Sequence, residues 1–379
     1  MNARSPDGDD RLWSRNAESQ LHRQRSPKAT FFLPLSIEAK APKSMSSKTP
    51  KLRIGYIPEH FASPLLVLAL SAWGQKHLQL VPCPSGTGQV LSAFDAARPG
   101  GQEIDVAIAL TESLIAGIAK GRKDIRLVGT YVRSSLVWAV IAGAQATQYS
   151  GIDNLRGTTM GISRLGSGSH VMASVMALNQ GWSPSDISFK VNDNFSNLRK
   201  SVNEGTTSAF MWETFTTKPY FDIKEVKKIG QVHTPWPSWS IASSVETTMS
   251  RPSQRTLLET FLEKLQEFIT AFTSPESFAA DIPRDFIIKE LHYQPTDVVD
   301  WLDTVRWVGD GRPNSSKQFY VNNGQNTTTT TVSRQTLAKT LKTLQQAGVL
   351  SEEQVNGPGA DPSIFVDSWG DGREGRLVA

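Results

Sequence analysis

Across roughly residues 52–245, short runs of β-branched and small apolar residues alternate with stretches of helix length, and this alternation limits the fold more than any single motif does. Parallel strands need a long crossover between them, usually a helix, so the pattern specifies α/β layering rather than a bundle or a sandwich. Strands are expected at 52–57, 78–82, 104–110, 125–131 and 137–142, with the last closing a first block. A helix expected at 64–73 ends at Gly74, and others cover 89–97 and 113–119. A second block follows, with strands at 158–162, 187–191, 208–212 and 226–232, and a return strand at 240–245. From Pro252 onward the periodicity is helical, at 254–273, 284–291, 296–305 and 333–347.

That order describes two lobes. The expected division is lobe 1 over 51–141, lobe 2 over 142–241, and a mostly helical return to lobe 1 over 242–348, with the chain crossing near 139–146 and again near 240–246. Two connections make a hinge, and in open α/β sheets ligands sit outside the carboxyl ends of the strands, so the cleft between the lobes is the place to look. The Ser-, Arg- and Pro-rich stretch 1–50 reads as a mobile basic tail, 349–379 as a flexible C-terminal tail, and the polar, threonine-ended run 322–331 as poorly ordered.

With 379 residues, 39% of them hydrophobic, there is enough material for a sizeable core. The net charge of +4 suggests nucleic acid until it is divided: residues 1–50 hold nine Lys and Arg against five Asp and Glu, and the remainder holds 31 of each. A folded part without a basic field has no means of condensing on phosphate backbones, so no nucleic acid is expected as partner. The single cysteine, Cys83, and six scattered histidines offer no metal-ligand spacing, and neither a metal nor a cofactor is expected. The longest apolar stretch, 61–73, has 13 residues and contains Pro64, short of the roughly 20 that cross a bilayer. Acidic Asp7, Asp9 and Asp10 with no apolar run beside them suit neither a secretory nor a transit peptide, so an intracellular, cytoplasmic protein is expected.

The strongest local signal is Gly161-Ile162-Ser163-Arg164-Leu165-Gly166-Ser167-Gly168-Ser169-His170, a strand passing through a glycine-rich loop into a helix. Backbone N–H groups there can face an anion, and the helix dipole favours negative charge, although Ser167 or Ser169 could simply cap the helix. Ser85-Gly86-Thr87-Gly88 repeats the arrangement in the first block. Glu59 and His60 follow the first strand; Thr111 and Glu112 follow the third; Ser134 precedes the crossover. Trp212 and Glu213 end a strand of the second block, where an indole can stack on a ligand and a carboxylate can accept from its amine. Trp236 and Trp239 flank the return crossing and suit hinge packing. No Gly-x-Ser-x-Gly elbow occurs, and no residue is put forward as catalytic.

Taken together, Ile54 to Phe61, Ser85 to Gly88, Asp105 to Glu112, Gly161 to His170, Phe210 to Glu213 with Thr217 to Tyr220, and Pro235 to Trp239 resemble fungal proteins with the type 2 periplasmic-binding-protein fold. These are similar to the solute-binding components of nitrate, sulfonate and taurine ABC importers. The resemblance covers residues 51–350 and implies two α/β lobes joined by two crossing segments and closing on a small solute. The fungal thiamine-pyrimidine synthases share the fold but follow another pattern, with a cysteine-rich iron segment and a pyridoxal-phosphate lysine and histidine. Cys83 alone cannot build that iron site, and no lysine here matches theirs. The expected activity is non-catalytic binding of an organic anion; an enzyme of the thiamine-precursor type is the alternative. The expected ligand-binding residues are Glu59, His60, Gly86, Thr87, Gly88, Thr111, Glu112 and Ser134 from lobe 1, and Ser167, Gly168, Ser169, His170, Trp212 and Glu213 from lobe 2.

Overall fold

β1 (Leu52–Tyr56), β2 (Leu78–Pro82) and β3 (Val106–Leu110) run parallel in the order β2-β1-β3. The sequence of β3, Val-Ala-Ile-Ala-Leu, is buried along its whole length, as a parallel strand covered on both faces must be. The structure, a computed structural model, describes residues 51–97, 99–312, 327–357, 361–367 and 376–378; the expected tail 1–50 and residues 322–326 lie outside it.

Helices connect the strands. The segment between β1 and β2 forms two of them, α1 (Ser63–Leu70) and α2 (Ala72–His77), where one was expected. The break falls at Ser71, whose hydroxyl accepts from the Gly74 N–H at 3.0 Å as an N-cap. Gly74 therefore sits inside α2, and it is glycine because a Cβ there would lie 2.1 Å from the Leu68 carbonyl oxygen. α3 (Thr87–Ala93) follows β2, and α4 (Thr111–Ala119) follows β3.

β4 (Ile125–Val132) completes lobe 1 before the chain crosses. β5 (Val137–Gly143), expected to close the first block, instead belongs to the second sheet, whose order is β7-β6-β8-β5-β9. There β6 (Thr159–Ile162), β7 (Ser188–Val191) and β8 (Ala209–Glu213) are parallel, and β5 lies antiparallel between β8 and β9 (Val226–His233). α5 (Gly168–Asn179), α6 (Phe195–Asn203) and α7 (Thr214–Asp222) link them. β10 (Trp239–Ser244) then returns and inserts antiparallel between β3 and β4. Each lobe thus receives one strand adjoining a crossing, and the crossings are residues 133–136 and 234–238, several residues before the positions expected. The local composition of an antiparallel strand is the same whichever sheet accepts it, which is why the pattern misplaced the boundaries.

The two crossings lie side by side. Thr234 N–H donates to the Leu136 carbonyl at 3.1 Å, Ser238 N–H to the Ser134 carbonyl at 3.1 Å, and Leu136 N–H to Thr234 Oγ1 at 2.9 Å. Helices α8 (Pro252–Phe272), α9 (Pro275–Ala279), α10 (Ile282–Leu291), α11 (Pro295–Thr304) and α12 (Arg334–Gln346) complete lobe 1.

Two segments expected to be loose are bound to β4. Thr130 donates its N–H to the Thr328 carbonyl and its hydroxyl to the Thr331 carbonyl, both at 3.0 Å, while Thr329 is fully buried. Val366 bridges to Leu127, and buried Arg376 reaches Asp367 at 3.3 Å and also Glu259. β4 is the last strand of its sheet, and these segments cover an edge that would otherwise expose unpaired backbone groups. Gly129 permits the close approach, since a Cβ there would lie 1.8 Å from the Thr329 carbonyl oxygen. Gly129→Ala should therefore push the threonine strap off β4 and lower the unfolding free energy by about 3 kcal/mol, read from urea denaturation. A loss under about 1 kcal/mol would show that the strap does not bear on β4 in solution.

Candidate functional site

The carboxyl ends of β1, β3 and β8, together with the loops that open α3 and α5, face one another across the crossings. Between them lies a narrow cleft lined by Ile57, Glu59, Ser85, Gly86, Thr87, Leu110, Leu136, Trp138, Ser163, Ser167, Gly168, Ser169, Trp212, Glu213 and Trp239. It is nearly shut, with a cavity volume of about 40 Å³.

Several contacts join the lobes. Arg164 Nη1 of lobe 2 donates to the Ser85 carbonyl of lobe 1 at 3.2 Å. On another side of the cleft Lys218 of α7 pairs with Asp297 of α11 at 3.1 Å, and the Thr216 and Tyr293 hydroxyls lie 3.4 Å apart. At the centre Gly168 allows near contact, because a Cβ there would lie 2.5 Å from Leu110 Cδ1 and 2.8 Å from Trp138 Cη2.

The glycine-rich loop of lobe 2 is organised by its serines. Ser169 Oγ accepts from the Ser163 N–H at 2.9 Å and lies 2.9 Å from Ser167 Oγ, which caps α5. Hydroxyls and N–H groups at the start of α5 thus converge on the cleft, where the helix dipole favours an acceptor or an anion. The indole Nε1 atoms of Trp138 and Trp239 are buried without a hydrogen-bond partner. Both residues line the cleft, and a buried N–H without a partner gains a bond where an acceptor comes within its reach.

Two carboxyl groups oppose these donors. Glu59, from lobe 1, is 5% exposed, and burial next to Glu213 pushes its carboxyl up to about 8. Glu213, from lobe 2, is pushed up to about 7 by burial, although its Oε2 accepts from the Thr216 N–H at 2.6 Å as the N-cap of α7. Among the described lining residues there is no Lys or Arg to offset them.

The structure brings eight of the expected residues into this lining, namely Glu59, Gly86, Thr87, Ser167, Gly168, Ser169, Trp212 and Glu213. Six others lie behind it. His60 is packed between the rings of Phe61, Tyr293 and Trp301 at 4.7, 4.4 and 4.0 Å, and burial holds its imidazole well below the usual histidine range. It touches the site only through Nε2, 3.9 Å from Glu213 Oε2. Glu112 accepts from Trp236 Nε1 at 2.8 Å and braces the return crossing. Thr111 bonds the Ser240 hydroxyl at 2.8 Å, and Ser134 Oγ accepts from the Arg306 N–H at 3.0 Å, so both are spent on the hinge. His170 turns back to accept from the Gly166 N–H at 3.0 Å, and Gly88 makes room for Arg164. Of the other lining residues, Ile57, Ser85, Leu110, Leu136, Trp138 and Ser163 were not among those expected, and Trp239 was assigned to hinge packing only. The signal for Trp138 and Trp239 was positional, a bulky aromatic one or two residues beyond each crossing.

Two lobes, two crossings and an interlobe cleft with convergent donors define a protein of the periplasmic-binding-protein fold. The Candida albicans CA3427 gene product, described as defining a new family with that fold, is similar at 32% identity and TM-score 0.66, over 82% of this chain and 95% of that one. The family model described as Ca3427-like PBP matches residues 138–232. The chain belongs to this Ca3427-like family. Similar in fold are the alkanesulfonate-binding protein SsuA from Xanthomonas axonopodis pv. citri bound to MOPS, at 15% identity and TM-score 0.59, over 83% of this chain and 99% of that one, and the periplasmic nitrate-binding protein NrtA from Synechocystis PCC 6803, at 13% and 0.60, over 84% and 86%. Relatives with this fold bind small-molecule ligands. No curated protein matches the sequence. Among the described residues no helix is long and apolar enough to cross a membrane.

The carboxyl pair gives the shut cleft a pH dependence. It holds protons that an open or unfolded chain, with carboxyls near 4.5, has released. The corresponding stability is complete below about 4.5 and is lost as pH rises through about 7 to 8. In a thermal melt of the ligand-free protein the midpoint should fall between pH 5 and pH 9, and Glu59→Gln should flatten the fall. A level wild-type profile would mean that the carboxyls stay solvated.

Proposed function

We propose that this protein is a non-catalytic binding protein that closes its lobes on a small organic solute bearing an anionic or strongly accepting group. The observation that carries the reading is the convergence, in one desolvated cleft, of the α5 N-terminus, the Ser163, Ser167 and Ser169 hydroxyls and two unpartnered indole N–H groups. Neutral donors fixed by secondary structure can hold an anion without a countercharge, and they do so best where water is excluded. Trp212 supplies an apolar wall to the solute body. An intracellular location belongs to the same reading and agrees with a chain that has one cysteine.

Binding without chemistry is supported by the state of the nucleophiles. The Ser167 and Ser169 hydroxyls bond each other and His170 bonds Gly166, so no serine is paired with that imidazole as a base. Cys83 is buried beside β2. The alternative, an enzyme of the thiamine-precursor type, would show itself by an absorbance band of a lysine–pyridoxal adduct on reconstitution.

Native mass spectrometry of freshly isolated protein should find a co-purifying small molecule, and Ser169→Asp, which puts a negative charge among the donors, should weaken its binding at least tenfold by calorimetry. Gly168→Ala should act differently. It is compatible with the first turn of a helix but collides with Leu110 and Trp138, so it should hold the lobes apart, seen as a larger radius of gyration with ligand present. Unchanged affinity and closure in both variants would place the ligand elsewhere.

A further inference from the structure

The donors at α5 account for one side of the cleft and leave the other unexplained. Glu59 and Glu213 approach from opposite lobes, each at least nine-tenths buried, and no described hydrogen bond or ion pair engages the Glu59 carboxyl. The groups around them offer little compensation. His60 faces Glu213 but sits neutral in its aromatic nest, and Tyr293 shares the field of both carboxyls with its hydroxyl near Thr216. Lys228 of β9 acts on Glu213 from outside the lining. Arg164 closes the rim with its guanidinium directed to the Ser85 carbonyl, and Lys218 is taken by Asp222 and Asp297. A cleft meant for a simple anion gains nothing from two carboxyls converging on it.

We propose that the natural ligand is a compact zwitterion, whose ammonium group sits between Glu59 and Glu213 and whose acid group meets the α5 N-terminus, with Trp138, Trp212 and Trp239 enclosing its body. This rests on the binding reading above and goes further by naming the second charge. An ammonium hydrogen-bonded to two desolvated carboxylates supplies the countercharge that the described lining residues do not. It also makes closure depend on the ligand, because the two carboxylates reach the same cation only when the lobes meet.

The pH dependence separates the two ligand classes. Closing on a simple anion requires proton uptake by carboxyls that are ionised in the open form, so its affinity should fall by up to about tenfold per pH unit for each proton taken up. Closing on a zwitterion leaves the carboxylates ionised, so its affinity should be level or rise between pH 6 and pH 8.5.

The test is calorimetry with taurine and the twenty proteinogenic amino acids, each set beside its deaminated acid and the amine lacking the acid group. At least one zwitterion should bind ten times more tightly than both of its partners, without loss of affinity from pH 6 to pH 8.5. Glu59→Gln with Glu213→Gln, which keeps shape and hydrogen bonding but removes the charge, should erase its preference over the deaminated acid. Equal or tighter binding of the deaminated acids, or an undiminished preference in the double variant, would overturn the proposal. So would failure of every probe. If the co-purifying molecule is then an acid with no amine, the zwitterion fails while the binding reading stands; if nothing co-purifies and nothing binds, both fail.

Discussion

Everything in this molecule that concerns a ligand hangs on the hydrogen-bonded pair of crossings at 133–136 and 234–238. They are short, they bond each other directly, and each is anchored on the lobe 1 side by a buried partner: Ser134 by the Arg306 backbone, and Trp236 by the Glu112 carboxylate. A single linker would let the lobes twist freely, whereas two bonded segments leave one soft direction, opening and closing about their common line. On the proposed reading, the cleft is the space that this motion would empty and fill. Its walls are strand ends and helix starts, so backbone N–H groups and short hydroxyls arrive there already aimed, with little entropy left to lose on binding.

The sequence pattern carried the layering further than it carried the boundaries. β3 was legible because five consecutive buried apolar residues between helix-length segments have little else to become. β5 and β10 were legible as strands but not as members of a particular sheet, since insertion between β8 and β9, or between β3 and β4, depends on partners as distant in sequence as Val106 is from Ser243. The threonine run was misread for a similar reason. Thr329 looks like part of a low-complexity loop until the Leu262 carbonyl, on a helix some sixty residues earlier, accepts its hydroxyl at 2.6 Å.

Strand ends and glycine turns led to eight of the residues that line the cleft, because the geometry that brings such positions to a strand's carboxyl edge is local. The burial of His60 was not legible, as it depends on Tyr293 and Trp301, more than two hundred residues later in the chain. Glu112 and Ser134 had the right chemistry for a ligand contact and were taken up by the hinge instead. Buried polar groups seek any partner within reach, and a crossing strand offers unpaired backbone groups before a ligand arrives.

The contrast between the two faces of the cleft shows how closure can be tied to occupancy. The cleft is narrow, with a volume of about 40 Å³, and the two carboxyls that line it are buried away from bulk water. At neutral pH, protonating one carboxyl whose ordinary value is near 4.5 takes about 3 kcal/mol. The contacts at the rim, Arg164 to Ser85 and Lys218 to Asp297, are partly exposed and weak by comparison. On the proposed reading the carboxyl pair opposes closing at neutral pH, and a guest that satisfies both it and the donors of α5 offsets that cost. A guest that satisfies only the donors must still meet the cost of the carboxyls, so on this proposal selectivity and closure arise from the same two side chains.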